Sequence, residues 1–190
     1  MRKTTIVRTF ALLGVLLLAG LVRLSAAETP KAVSLGAPIN RQDAGLTISA
    51  GYEAPLTIEG VDSNGRPLFF SPDKAGLFLA VDARGARGNK NGFGAGEVIP
   101  YLSVSYALKR QGGGEVQQGQ LHPLVTRQGL RYGNNIKLAG SGTYTLTLTV
   151  EPPIKVGFGR HTDMETGVAR WWKPFRVEWT FQPSLSRQSR

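Results

Sequence analysis

The segment YTLTLTV, residues 144–150, alternates apolar or aromatic side chains with threonine. A period of two with β-branched residues is typical of a strand that buries one face. Related patterns occur at residues 46–52 (LTISAGY), 77–83 (LFLAVDA), 101–108 (YLSVSYAL) and 175–181 (FRVEWTF). Glycine- and proline-rich turn signals separate these segments, and no helical period extends over three turns. We therefore predict an all-β fold, an immunoglobulin-like antiparallel β-sandwich in a single domain.

The N-terminal residues 1–27 have the features of a secretory signal peptide. A basic start precedes the apolar residues 9–22, and small residues, Ser25-Ala26-Ala27, follow at the expected cleavage point. The apolar stretch is shorter than the roughly 20 residues of a membrane-spanning helix, which makes an uncleaved anchor the weaker alternative. The chain has no cysteine, so a lipid-modified cysteine and disulfides are both excluded. We expect a periplasmic protein, cleaved after Ala27 and held together by its core alone.

Removal of the signal peptide leaves 163 residues with nineteen basic and thirteen acidic side chains, a net charge of +6. This length suffices for one domain with a substantial core. We divide the mature chain into an extended N-terminal arm (28–43), the β-sandwich domain (44–182) and a flexible basic tail (183–190). The basic residues are scattered and no nucleic-acid-binding motif is present, so we expect no nucleic-acid partner.

Three motifs decide which family the chain resembles: NGFGAGEVIPYL (91–102), LRYGNNIKL (130–138) and GRHTDMETGVARWWKPF (159–175). Together they resemble the periplasmic iron- and copper-binding proteins of high-affinity ferrous iron permease systems. The treponemal lipoprotein that binds lactoferrin is similar. The resemblance covers about residues 45–181 and is strongest after residue 77. It implies an exported accessory protein of iron, or copper-linked iron, uptake.

The resemblance also implies a metal site of imidazoles, a thioether and carboxylates, which suits copper or iron. Most of the positions that match those ligands carry other residues here: Thr47, Phe78, Ala80, Arg84, Leu124, Thr126 and Arg131. The last family histidine is retained as His161. A guanidinium stays charged and cannot coordinate a metal. A fixed cation about 4 Å from a bound ion would cost several kcal/mol at an effective dielectric of about 20. We therefore expect a copper or iron ion to bind weakly or not at all.

The alternative hypothesis is that a metal site is formed here by a different set of residues. Residues two apart on a strand share a face, which places His122 beside Leu124 and Asp82 beside Ala80. With His161, these side chains would form a shifted site for zinc, copper or iron. The simpler interpretation places the two histidines separately, as surface or hydrogen-bonded residues, and we favour it.

The arginines offer two further interpretations. Arg84, Arg127, Arg131 and Arg160 would form an anion pocket if they converged, because arginine binds carboxylates in a bidentate manner. Alternatively, Arg131 replaces the charge of the ion and pairs with Asp82 or Glu97. We favour this charge replacement.

The remaining features predict contacts rather than chemistry. The aromatic residues Trp171, Trp172 and Phe175 are interpreted as core or as a dimer interface, since the resembled family is dimeric. We expect a homodimer, or a dimer with a metal-competent relative, and an inner-membrane iron permease as a partner.

No cysteine nucleophile or recognisable nucleophile–base pair is present, so we expect no enzymatic activity. A partner-binding or structural β-module without a role in metal handling is the alternative function.

Overall fold

The computed structural model describes residues 32–184. Alternating buried and exposed side chains produce most of the strands, as in Tyr144–Glu151, where every second residue is buried. The strands are β1 (Val33–Ser34), β2 (Ile39–Arg41), β3 (Leu46–Glu53), β4 (Leu77–Gly85), β5 (Ser103–Arg110), β6 (Gln117–Thr126), β7 (Gly129–Ile136), β8 (Tyr144–Glu151) and β9 (Phe175–Phe181). Short 3₁₀ turns lie at Pro72–Lys74 and Pro153–Val156. Among the described residues no helix is long and apolar enough to span a membrane.

All nine strands belong to one antiparallel sheet, in the order β1-β3-β4-β7-β6-β5-β8-β9, with β2 also paired to β3. Strand β6 joins the two halves. Its residues 117–121 pair with β5, whereas residues 122–126 pair with β7. The sheet bends at this change of partner, and its two halves therefore curl around one interior.

The interior is a single hydrophobic cluster that both halves of the sheet supply. The first half contributes residues such as Leu46, Ile48 and Val81, and the second contributes Leu146 and Leu148, all with no exposed surface. Burial of each such side chain contributes roughly 1.5–3 kcal/mol relative to leaving it exposed. This shared core gives the cysteine-free chain the stability that a disulfide would otherwise add.

The two ends of the curled sheet meet through side chains. The Arg41 guanidinium donates to the carbonyl oxygen of Arg176 at 3.2 Å and lies 4.2 Å from the centre of the Phe175 ring. Trp179 Nε1 donates to the carbonyl oxygen of Ala37 at 3.2 Å. Strand β9 and the β1–β2 region are therefore in contact, although no backbone ladder joins them.

The predicted all-β antiparallel class is confirmed. The architecture is a curled half-barrel in one continuous sheet, because β6 belongs to both halves, and the two separate sheets of an immunoglobulin-like sandwich are not distinguished. Part of the predicted N-terminal arm forms β1 and β2 on β3. The predicted signal peptide lies outside the described residues, as do residues 185–190 of the predicted tail.

Tyr132 ties the loop before β5 to the core. Its side chain is fully buried. Its hydroxyl donates to the carbonyl oxygen of Ile99 at 2.8 Å and accepts from the backbone N–H of Leu102 at 2.9 Å. Burial raises the pKa of the Tyr132 hydroxyl to about 12, because the anion would lose its hydration. The Tyr132 hydroxyl thus adds a buried side-chain anchor to the backbone hydrogen bonds that join this loop to β4.

Replacing Tyr132 with phenylalanine tests this role. The variant keeps the ring but leaves a buried N–H and a buried carbonyl without partners, which costs about 1–3 kcal/mol of unfolding free energy. Urea denaturation of Tyr132→Phe beside the wild type measures the loss. Tyr101→Phe is the control, since Tyr101 is 58% exposed, and should change stability by less than about 0.5 kcal/mol. Equal stability of the three proteins would contradict the role.

Candidate metal-replacement site

The outer face of β3, β4, β7 and β6 collects the positions that matched family ligands. Antiparallel register places Glu53 opposite Phe78, and Ser49 opposite Asp82. On the other side of β4, Ala80 is paired with Gly133, which is itself paired with His122 on β6. Residues on neighbouring strands at the same level share a face. The sequence-predicted site residues of these strands therefore lie on one surface.

Apolar side chains cover this surface around Phe78 and Ala80. Phe78 and Ala80 are buried at 0% and 1% exposure, yet neither belongs to the interior cluster, which shows that they are covered on the outer face. The Phe78 ring lies directly over Gly133, where a Cβ atom would collide with it. Neither side chain has an atom that binds a metal.

Arg131 occupies the centre of the same surface. It is paired with Leu124 across β6–β7, and its Nη2 donates to Asp82 Oδ2 at 2.9 Å. Its Nη1 lies 4.0 Å from Glu53 Oε1. The three side chains are 11%, 23% and 16% exposed for Arg131, Asp82 and Glu53. The expected partner Asp82 is thus found, whereas Glu97 instead accepts from the backbone N–H of Gly94 at 2.7 Å.

Arg131 places a positive charge beside two carboxylates, as a bound metal ion would, but here the charge belongs to a side chain of the protein. Two carboxylates that are largely removed from water need a nearby positive charge. The guanidinium supplies that charge through one charge-assisted hydrogen bond and one longer contact. Its Nε is buried without a hydrogen-bond partner. Repulsion from the guanidinium opposes entry of a metal ion at this position.

The side chains at two other predicted ligand positions form hydrogen bonds with nearby residues. Thr126 Oγ1 donates to the carbonyl oxygen of Gly129 at 3.3 Å and accepts from the N–H of Gln128 at 3.2 Å, which closes the β6–β7 turn. Thr47 Oγ1 donates to Asn40 Oδ1 at 2.7 Å. Both hydroxyls stabilise chain connections.

The remaining arginines of the predicted anion pocket do not share a partner. Arg84 donates to the carbonyl oxygen of Gly96 at 2.9 Å, and Arg160 to that of Val168 at 2.8 Å. Arg127 lies exposed in the β6–β7 turn. The contacts of Arg84 and Arg160 are with nearby backbone and are structural, and an anion pocket stays a prediction.

The tentative His161, His122 and Asp82 site is not assembled within one copy of the described chain. Among residues 32–184, no three His, Cys, Asp or Glu side chains are grouped so that they could hold a metal ion. His161 Nε2 lies 2.9 Å from Asp163 Oδ2 in the exposed β8–β9 loop. His122 instead contacts the edge of the Phe69 ring, with centroids 5.6 Å apart. One carboxylate oxygen of Asp82, Oδ2, already accepts a hydrogen bond from Arg131.

A covering segment, residues 54–72, lies over the outer face. The Asn135 amide, 2% exposed, holds it with three hydrogen bonds. Asn135 Oδ1 accepts from the Leu56 N–H at 2.9 Å, and Nδ2 donates to the carbonyl oxygens of Leu56 and Phe70 at 2.8 and 2.7 Å. Composition did not single out Asn135, although the motif LRYGNNIKL contains it.

The aromatic residues near the last strand belong mostly to the core. Trp172 and Phe175 are 7% and 6% exposed and lie within the interior cluster. Trp171 is half-buried and packs against it. The core interpretation therefore describes Trp172 and Phe175 in this chain.

A family model described as "Fe2+ transport protein" matches residues 32–184. The chain belongs to this family. The predicted resemblance is therefore confirmed at the level of the family.

Relatives and solved structures agree with this assignment. A UPF0423 protein of Brucella abortus is 41% identical over 140 residues, 72% of this chain and 74% of its own length. The 34 kDa membrane antigen of Treponema pallidum is 32% identical over 113 residues, 57% of this chain and 55% of its own length. A copper-bound variant of FetP from uropathogenic Escherichia coli strain F11 superposes with a TM-score of 0.73 at 43% identity. It covers 80% of this chain and 97% of FetP. Copper-reconstituted P19 of Campylobacter jejuni gives 0.73 at 35% identity, over 80% and 96% of the two chains.

The residues present in this family member do not fit the copper seen in those neighbours. A copper or iron site needs imidazole, thioether or carboxylate donors that converge. At the matched positions this face has Phe78, Ala80, Leu124 and Arg131, and its other donors, such as His122 and Glu53, are not part of any group of three that could hold an ion within residues 32–184.

Replacing Asn135 with alanine should release the covering segment. The change removes three buried hydrogen bonds and leaves backbone groups without partners, a loss of about 2–4 kcal/mol of unfolding free energy. Asn134→Ala is the matched control, because Asn134 is more exposed and contacts Phe70 through one bond. Hydrogen exchange of residues 54–72 should accelerate in Asn135→Ala and much less in the control. Unchanged exchange in both would contradict the anchoring role.

Burial lowers the pKa of the His122 imidazole below 6.5. The folded protein therefore binds the His122 proton more weakly than the unfolded chain. The resulting stabilisation is present above pH 6.5 and is lost as the pH falls through the depressed pKa. NMR titration of the ring should give a midpoint below 6.5, and the stability of His122→Gln should depend less on pH between about 7.5 and 5 than that of the wild type. A midpoint above 6.5 would contradict this account.

Proposed function

We propose that this protein is an exported accessory component of a high-affinity iron, or copper-linked iron, uptake system, and that its own metal position has degenerated. Membership of the Fe2+ transport protein family supports the pathway. The likeness to copper-bound FetP and P19 supports a scaffold that evolved around a metal-binding face. The chain keeps that scaffold over most of its length.

The ion pair between Arg131 and Asp82 carries the degenerate-site part of the proposal. A guanidinium takes up the place and the charge that a cation would have, and its 2.9 Å hydrogen bond to Asp82 uses a potential ligand oxygen. Phe78, Ala80 and Leu124 remove neighbouring donors. Loss of ligands together with gain of a fixed cation supports replacement of the metal rather than a simple weakening of the site.

We also propose a periplasmic location. The predicted signal peptide, the absence of cysteine and the production of the FetP neighbour in the periplasm support it. The expected partners are a second copy, or a metal-competent relative, and an inner-membrane iron permease. We further propose that the curled sheet is a variant of the immunoglobulin-like sandwich, since its two halves bury one shared core.

Calorimetric titration with Cu(II), Fe(II), Mn(II) and Zn(II) tests the metal part of the proposal. We expect no binding at micromolar concentration by the wild type, and no change in His161→Ala. Micromolar binding by the wild type that disappears in His161→Ala would contradict the proposal, because it would demonstrate a rebuilt site.

A gain-of-function variant sharpens the same test. Changing Arg131→His together with Leu124→Met removes the fixed cation and adds two donors on paired positions of β6 and β7. Copper affinity should then rise by at least about tenfold, equivalent to roughly 1.4 kcal/mol. Arg127→His is the matched control, because it adds an imidazole at an exposed turn. An equal gain in both variants would argue against a special role for the Arg131 position.

A further inference from the structure

The sheet opens into a cleft between β6 and β7. Residues 117–121 of β6 pair with β5, and β6 pairs with β7 only from His122 onward. On the other wall, residues 134–136 of β7 pair with β4. Within residues 32–184, each of these two stretches therefore pairs along one edge, and its other edge faces the cleft.

The cleft lies at the opposite end of the sheet from the β8–β9 loop. Gln117 pairs with Leu108, near the end of β5. The β8–β9 loop begins after Glu151, which pairs with Ser103 at the start of β5. The metal-replacement site is also separate, because its ion pair lies where β6 and β7 are joined. The cleft is therefore a site of its own.

The cleft is elongated and largely apolar. Its volume is about 900 Å³. The edge of β6 that runs along it, residues 117–121, is about 16 Å long at roughly 3.3 Å per residue. Among the lining side chains, Phe70 and Val116 are 39% and 40% exposed, while Leu138 and Tyr106 also pack against the core. These dimensions match an extended chain segment of about five residues.

The unpaired edge of β6 presents peptide groups to the cleft. The carbonyl oxygen of Gln120 accepts from Nδ2 of Asn134 at 3.1 Å, so it points away from β5. In an antiparallel strand the N–H and C=O of one residue point to the same side, and the side alternates along the chain. The groups of Gln118 therefore also point into the cleft. The bond from Asn134 shows that this edge already accepts an amide in the place of a neighbouring strand.

The sequence of this edge leaves it open to pairing. Residues 117–121 read QQGQL and contain neither lysine nor proline, the residues that commonly protect a strand edge. The Tyr106 ring covers Gly119, its cross-strand partner, where a Cβ atom would collide with it. Because the same ring lines the cleft, an apolar side chain of an added strand would contact it.

The charges and the peptide groups of the cleft together select the class of ligand. The lining carries one acidic residue, Glu115, and one basic residue, Lys137, both exposed, so it does not favour a ligand of either sign. A compact apolar molecule would remove water from the peptide groups of Gln118 without replacing its hydrogen bonds. An extended peptide supplies both the hydrogen bonds and the apolar contacts, as in recognition by strand addition.

We propose that this cleft binds an extended, uncharged segment of a partner protein as an additional strand on the free edge of β6. The backbone of the segment pairs with Gln118, and one of its apolar side chains lies beside Tyr106 and Val116. This binding does not depend on whether the protein holds a metal ion, so its failure would leave the proposed function unaffected.

Titration of the processed protein with defined peptides tests strand addition. The probe is an acetylated and amidated heptapeptide that alternates threonine with valine around a central phenylalanine. The control peptide has the same sequence with N-methyl groups on its internal amides, which removes the backbone donors and keeps the side chains. We expect a dissociation constant below about 1 mM for the probe and at least about tenfold weaker binding of the control. Exchange of the Gln118 amide proton should slow at least about tenfold at saturation, because it enters a hydrogen bond.

Two variants locate the contact, and one control is matched to them. Val116→Asn should weaken binding of the probe at least about fivefold, because an apolar wall of the cleft is lost. Gln118→Pro should weaken it at least as much, since proline removes the N–H that points into the cleft and leaves the bonds to β5 in place. Val125→Asn is the control, because Val125 is 81% exposed in the part of β6 that pairs with β7, and it should bind as the wild type does. Urea denaturation verifies that each variant is folded.

Four results would overturn the proposal. The first is no binding of the probe at about 1 mM. The second is equal binding of the N-methylated peptide, which would make the cleft a site for apolar side chains alone. The third is an equal loss of binding in Val116→Asn and Val125→Asn. The fourth is a light-scattering mass of two copies that falls to one copy only in Val116→Asn, which would make the cleft an interface between copies.

Discussion

The ion pair between Arg131 and Asp82 joins strands β7 and β4 on the outer face of the sheet, and Glu53 extends it to β3. All three side chains are mostly shielded from water, so no member is stable there alone. Removal of the arginine would leave two carboxylates close together without a cation, and removal of Asp82 would leave a buried guanidinium without its hydrogen bond. This mutual dependence explains why Arg131, Asp82 and Glu53 lie together on this face.

A guanidinium bound to carboxylates differs chemically from a metal ion in the same surroundings. A bound metal ion and a guanidinium both neutralise carboxylates, but only the guanidinium is permanent and inert to oxidation state. Beside the ion pair, the Phe78 ring covers Gly133, and Asn135 holds the segment 54–72 over the same face.

Sequence reasoning predicted much of the fold because burial on one face leaves a local pattern. Residues 46–52 and 144–150 alternate, and they form β3 and β8. Strand β7 has no such pattern, since Gly133 makes room for the Phe78 ring and Asn134 and Asn135 bind the covering segment. The change of partner within β6 could not be predicted from the local sequence, because it depends on how β6 pairs with two other strands.

The candidate site was predictable only in part. Motif spacing placed Arg131 and Asp82 on one surface, since strand periodicity and the family resemblance both apply there. Glu53 and Asn135 escaped notice because their roles depend on long-range contacts, such as the 79-residue separation between Asn135 and Leu56. The proposed grouping of His161 with His122 failed in one copy of the described chain because the loop that carries His161 has no periodicity from which its direction can be derived.

A double-mutant cycle on Arg131 and Asp82 tests the central claim most directly. Unfolding free energies of the wild type, Arg131→Gln, Asp82→Asn and the double variant would be measured by urea denaturation in excess chelator. If the guanidinium acts in place of a metal ion, each single change should lower the unfolding free energy by about 1.5–3 kcal/mol. The two changes should also be coupled by at least about 1 kcal/mol without any metal present. Additive effects within about 0.5 kcal/mol would contradict the claim that the guanidinium has taken over the role of the ion.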